Sequence, residues 1–224
     1  MLSDAHYRCA ARRDPGLPPT RVSVLSGQCS QCGGRMAADG RHAQRCIYTN
    51  TFIKQRHDSI ELLLQRTVRD GVGLAHRQER HLPAAQRTVP DLLLVLDHKT
   101  YLCDVTVVDT LADSHLVTAS RGPARVADEA ADKKELKYRR VAEAMGAVHL
   151  PFAVETMGGL SATAQRLVHE IHNSASTHCT WRDAKLVGTH LVASVAIAVQ
   201  RYTGMAVEAG LERELEAALG PAVA

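Results

Sequence analysis

The sequence has no hydrophobic run long enough to cross a bilayer. Its longest apolar stretch, LVGTHLVASVAIAVQ at 186–200, carries His190 and Gln200 and falls short of the ~20 residues a spanning helix needs. A buried helix is expected there, and no membrane partner. No apolar leader opens the chain, and of six cysteines only Cys29 and Cys32 stand close together. A disulfide framework is therefore not expected; reduced thiols or metal ligation in a reducing, intracellular setting are. An excess of one charge is also missing: a net +3 with twelve histidines permits anionic partners without demanding them. Tryptophan occurs once, and Trp181 is expected to anchor packing rather than to stack on a base. Internal repeats and low-complexity tracts are absent.

What is present is an ordinary globular composition, 45% hydrophobic and 23% charged, able to bury a core. Residues 1–28 hold Pro15, Pro18 and Pro19 with no sustained periodicity and read as a linker or basic arm. Its Arg8, Arg12, Arg13 and Arg21, followed by Arg35, Arg41, Arg45 and Arg56, bias the first quarter towards anionic partners. The next segment, CSQCGGRMAADGRHAQRC, is rich in Gly, Cys and Arg and too poor in large apolar groups to order itself. A metal ion would supply that order. The pattern is Cys29-x2-Cys32-x9-His42-x3-Cys46. A CxxC pair places two thiolates on one tetrahedral ion, the His-x3-Cys pair adds two ligands from about one helical turn, and Gly33 and Gly34 let the backbone curl between them. Zinc suits this sulfur and nitrogen set, and four protein ligands make a closed, structural site.

Beyond this knuckle, taken as residues 29–50, the pattern divides into a core at 51–157 and a helical extension at 158–224. Apolar residues at Ile53, Ile60, Leu63, Leu64 and Val68, stopped by Gly71, have helical spacing. A weak strand is expected in VGLAHRQERHL at 72–82. Strong strands are expected in PDLLLVLD and YLCDVTVVD, joined by a turn at DHKT. The run at 92–96 has the near-continuous apolarity of a central strand covered on both faces. A helix over 125–146 follows, ended by Gly146. The stretch 147–156 reads as a strand that Pro151 confines to an edge or bulge. Two further helices are expected near 161–172 and 181–219, the second with a break near Gly204 or Gly210. Helix, three strands, helix and strand in that order give an α/β core with helices on a mixed sheet.

Asp91 and Asp104 flank the predicted hairpin. Carboxylates projected from the ends of adjacent strands can hold Mg2+ for phosphodiester hydrolysis, with a lysine to orient water or stabilise charge. Yet Pro-Asp opens many strands, and an aspartate beside a strand also serves as a cap, so spacing alone leaves both readings open. Glu61 lies one turn after His57 and is a further acidic candidate, while Asp97 is expected in the turn.

Taken together, PDLLLVLDHKTYLCDVTVVDT resembles the PD-(D/E)xK nuclease pattern. The ensemble is similar to the C-terminal restriction-enzyme-like endonuclease region of site-specific non-LTR retrotransposon polyproteins. It consists of the knuckle at 29–46, RHDSIELLL at 56–64, PD at 90–91, DVTVV at 104–108, KKELKY at 133–138 and FAVETMGGLSATA at 152–164. The resemblance spans roughly residues 25–205. It implies a Mg2+-dependent (or Mn2+-dependent) DNA endonuclease that nicks target DNA for retrotransposon integration, with a zinc knuckle helping to dock on the duplex. Asp91 and Asp104 become the Mg2+ ligands. Thr106 stands where a lysine usually follows the second acid, so the lysine is expected from the next helix: Lys137, the better match with Tyr138, or Lys134. Arg35, Arg41, Arg45, Arg56 and His57 are the expected nucleic-acid contacts. The resemblance further implies DNA as partner with RNA as a second candidate, a nuclear setting and fusion to a reverse transcriptase. Separately, the alternating Ala, Val and Leu residues of the helices at 161–219 argue for packing onto the core or for self-association as a homo-oligomer. The competing expectation is a catalytically inactive nucleic-acid-binding module of retroelement origin.

Overall fold

The computed structural model describes residues 27–36, 41–71, 74–77, 90–178 and 181–219. The expected arm, with Arg8, Arg12, Arg13 and Arg21, lies outside the described residues, as does most of the predicted 72–82 strand. The chain divides into two compact units: one formed by residues up to Arg56 together with residues from Ala198, the other by His57–Ile197.

In the larger unit, helix α1 (Asn50–Gly71) contributes its residues from His57 onward. Ile60, Leu64 and Val68 recur four residues apart on one face and are fully buried, which is why this amphipathic sequence is helical. Strands β1 (Leu74–Arg77), β2 (Leu92–Leu96) and β3 (Lys99–Cys103) pair antiparallel in that order. Burial along β2 alternates, with Leu92, Leu94 and Leu96 inside and Leu93 and Val95 half-buried, so one face is more fully covered than the continuous apolar run implies. The β2–β3 turn is only Asp97 and His98, with φ of 46° and 67°. Positive φ at both central residues is the mirror-image turn whose twist matches a hairpin. Lys99 and Thr100, expected in the turn, begin β3.

After Asp104 the chain continues as β4 (Val105–Val108). Strands β5 (Val148–His149) and β6 (Phe152–Glu155) run parallel to β3 and β4, Tyr101 opposite Val148 and Val105 opposite Phe152. The two pairings share one register, so 101–108 and 148–155 form a single parallel ladder interrupted at Pro151. Proline has no N–H to donate; Leu150 N to Leu102 O (2.8 Å) and Phe152 N to Asp104 O (2.9 Å) bracket the gap. The sheet is thus mixed, with β5 at its edge, where a proline is tolerated.

A short helix α2 (Leu116–Ala119), not apparent in the sequence, precedes α3 (Arg125–Ala144). The N–H groups of Val126 and Ala127 donate to Glu155 Oε1 at 3.2 and 3.4 Å, satisfying orphan donors at the helix start. Ala127 and Ala131 pack on Ala153, and Val141 and Ala142 on Leu102. Small side chains at the first contact let α3 lie close over β6, which brings the polar residues between these two anchors onto the strand ends. Helix α4 (Ala162–His178) buries Ala164, Leu167, Ile171 and Ala175. These elements make the described unit an α/β fold, a mixed sheet flanked by helices.

In the smaller unit Cys29 N donates to Gly34 O and Gly33 N to Cys29 O, with Gly33 at φ 71°, a left-handed position that glycine fills without strain. Short 3-10 turns follow at Arg41–Gln44 and Ile47–Thr49. Helix α5 (Trp181–Leu219) contributes its residues from Ala198. It runs unbroken through Gly204 and Gly210, against expectation. The reason at Gly210 is space: a Cβ there would sit 2.5 Å from that of Ala43, so the glycine permits close approach and does not end the helix. Ser30 N and Oγ donate to Glu214, and Arg213 Nη1 to Tyr48 O. The side chain of Trp181 lies outside those described.

Candidate functional site

The open end of the β2–β3 hairpin positions the two aspartates. Leu92 pairs with Cys103, so Asp91, just before β2, and Asp104, just after β3, occupy facing positions. Asp91 Oδ2 accepts from Val105 N at 2.7 Å and lies 3.1 Å from His57 Nε2. Burial pushes the Asp91 carboxyl upward, but the His57 and Val105 hydrogen bonds and the nearby Lys134 charge outweigh it and hold Asp91 below the usual carboxylate range. The same hydrogen bond to Asp91 raises His57, against its own burial, to about 9.

Asp104 is nearly inaccessible, its side chain 4% exposed, and its Oδ2 lies 2.7 Å from Lys134 Nζ. A buried carboxylate without a cation would be costly; Lys134, three turns into α3, supplies one. Thr106 Oγ1 is 3.4 Å from the same oxygen, so the strand position expected to carry a lysine carries a hydroxyl donor instead. Of the two candidate lysines, it is Lys134 that reaches an aspartate. Lys137 Nζ lies 3.1 Å from Tyr138 Oη and 4.6 Å from that ring's centre. Burial, and then a hydrogen bond to Asp104, push the Tyr138 phenol far above its ordinary range, so it remains a proton donor. Beneath it lies His149, its ring centre 5.1 Å away.

Glu61 is buried, and one ligand atom each from His57, Asp58 and Glu61 lies within 4.8 Å of the others. Arg35 and Arg45 are exposed and Arg41 half-buried. Arg56 corrects the expectation of a nucleic-acid contact: it is 4% exposed, with Nη1 donating to Thr203 Oγ1 at 2.9 Å. Helical phase, which turns position 56 inward, decides this. Asp58, Tyr138 and His149 also belong to the site, although none of them was an expected site residue. Asp58 was legible as the neighbour of His57, and Tyr138 as the residue four after Lys134. Nothing in the sequence marked His149.

The smaller unit holds the second cluster. One ligand atom from each of Cys29, Cys32, His42 and Cys46 lies within 4.8 Å of the rest. Cys46 Sγ is 3.8 Å from Cys32 Sγ, and His42 Nε2 is 3.1 Å from Cys32 Sγ. A tetrahedral zinc with Zn–S bonds of about 2.3 Å has an S···S edge of about 3.8 Å, and none of the three cysteines is in a disulfide. Burial, reinforced by Arg45, lowers His42, leaving the neutral imidazole that zinc ligation requires. The four residues could therefore hold zinc in a closed site.

No family model matches the sequence, and no curated protein matches it.

Proposed function

We propose that this chain is a metal-dependent endonuclease that nicks DNA, built on a PD-(D/E)xK-type core of the kind that closes site-specific non-LTR retrotransposon polyproteins. The observation carrying this reading is Lys134 Nζ at 2.7 Å from Asp104 Oδ2. It returns from helix α3 the lysine that Thr106 displaces from the strand, beside an aspartate that faces Asp91.

Two carboxylates on adjacent strand ends are hard oxygen donors of the kind Mg2+ selects, and Asp91 is held ionised well below neutral pH. When bound, Mg2+ supplies an activated water and neutralises charge on the phosphate. Lys134 orients Asp104 and presents a cation to charge developing on the scissile phosphate. Tyr138 keeps its proton and donates a hydrogen bond to Asp104. His57 holds Asp91 in place from α1 rather than touching DNA. In the smaller unit, the exposed Arg35 and Arg45 contact phosphates, adding salt-dependent and sequence-independent affinity.

A supercoiled plasmid is expected to be nicked in Mg2+. Asp91→Ala and Asp104→Ala abolish nicking, and Lys134→Met lowers it about 10²–10⁴-fold, the usual range for a positioned acid–base or charge-stabilising group. Lys137→Met retains most activity. Circular dichroism establishes that each variant is folded. Nicking that survives both aspartate substitutions overturns the assignment. Salt-sensitive binding with no cleavage in any divalent ion assigns the chain instead to a non-enzymatic nucleic-acid-binding module.

A further inference from the structure

We propose that His57, Asp58 and Glu61 form a separate binding site on α1 for a d-block divalent ion, Mn2+ or Zn2+, with Asp91 as the carboxylate that orients the histidine. His57 and Glu61 stand one turn apart on one helix face, Asp58 lies beside His57, and one ligand atom from each lies within 4.8 Å of the others. The set is not a surface cluster of acids: Glu61 is 5% exposed, and His57 and Asp58 are half-buried.

The second, independent observation is how the imidazole is held. His57 Nδ1 faces the cluster, 3.3 Å from Asp58 Oδ1, while Nε2 is 3.1 Å from Asp91 Oδ2. Metal-ligating histidines are typically fixed in this way, one nitrogen on the ion and the other N–H on a carboxylate that sets tautomer and ring orientation. Asp91 is itself anchored by Val105 N–H at 2.7 Å, so the orienting carboxylate does not swing. Binding exchanges a proton on Nδ1 for the ion and leaves Nε2–H on Asp91. One nitrogen and two carboxylate oxygens suit Mn2+ or Zn2+ better than Mg2+, which prefers an all-oxygen shell. The site does not require the chain to be a nuclease.

The test uses the full chain with zinc already in its thiolate cluster, titrated with Mn2+, which thiolates do not attract. Electron spin echo spectroscopy then detects a nitrogen bonded directly to Mn2+ in the wild type. An ion held only by Asp91 and Asp104 gives no such coupling. The coupling disappears in His57→Asn. Mn2+ affinity falls at least about tenfold in Glu61→Gln, and by about 10–100-fold in Asp91→Asn through the lost orienting carboxylate. Asp104→Asn retains the nitrogen coupling. Mn2+ bound without nitrogen coupling in the wild type, coupling that survives His57→Asn, or coupling lost in a folded Asp104→Asn would each overturn the proposal. The nuclease reading is judged separately, by Mg2+-dependent nicking.

Discussion

Among individual residues, His149 has the least conventional surroundings. It is 9% exposed, and neither ring nitrogen has a hydrogen-bond partner among the described residues. Burial holds its pKa down to about 4, with Asp104 pulling it upward and Lys134 pushing it further down, and the Tyr138 ring packs against it. A histidine kept neutral in the fold but free to protonate near pH 6.5 when unfolded makes unfolding take up protons as pH falls. Its contribution is intact above pH 6.5 and is lost progressively from there down to about pH 4. Between pH 7 and pH 5 the wild type should lose about 2 kcal/mol through this group. His149→Leu should lose correspondingly less over the same interval, as read from urea unfolding at the two pH values. Equal losses in the two proteins would show that His149 does not carry the dependence. The charge balance around Asp104 is local in the same way: a buried carboxylate, a lysine from α3 and a phenol that stays protonated.

At the scale of elements, two small residues show how spacing is set by contact. Pro151 interrupts the ladder beside Asp104, where the chain can forgo one hydrogen bond because β5 is an edge strand. Gly210 sits in the middle of α5 although glycine costs a helix about 1 kcal/mol relative to alanine. The added Cβ of Gly210→Ala meets Ala43 at 2.5 Å, and Ala43 is buried on a tight 3-10 turn with no long side chain to swing aside. Overpacking of this kind costs about 1–3 kcal/mol, so it outweighs the propensity gain. Gly210→Ala is expected to lower stability by about 1 kcal/mol, measured by denaturant unfolding; a stabilised variant would mean that the turn at Ala43 yields freely.

At the scale of the whole molecule, the two units differ in what can order them. His57–Ile197 contains a six-strand assembly and fully buried Leu, Ile and Phe side chains. In the smaller unit the buried cluster around the knuckle is Cys29, Met36 and Cys46, and two of those three belong to the group that could hold zinc. With zinc bound there, removing it would remove both the cross-link and most of that cluster's reason to be buried. Zinc chelation, confirmed by metal analysis, is expected to abolish amide-exchange protection across residues 29–36 and 41–49 while β2, β3 and α3 keep theirs. Protection that persists in the metal-free protein would show that packing alone orders the knuckle.

The sequence by itself determined what is local. Helical spacing in α1 and α3, the β2–β3 hairpin with Asp97 in its turn, the edge character announced by Pro151 and the four-ligand spacing of the knuckle all follow from neighbours within about ten residues, where backbone geometry dictates which side chains share a face. Only the tertiary structure decided what depends on distant packing. The phase of α1 buries Arg56 and turns His57 to Asp91. The alanine seam between α3 and β6 sets the depth at which Lys134, rather than Lys137, meets Asp104. Ala43 turns Gly210 from an expected break into a close contact. Each of these is fixed by how closely two elements pack, and the spacing within either element does not record that distance.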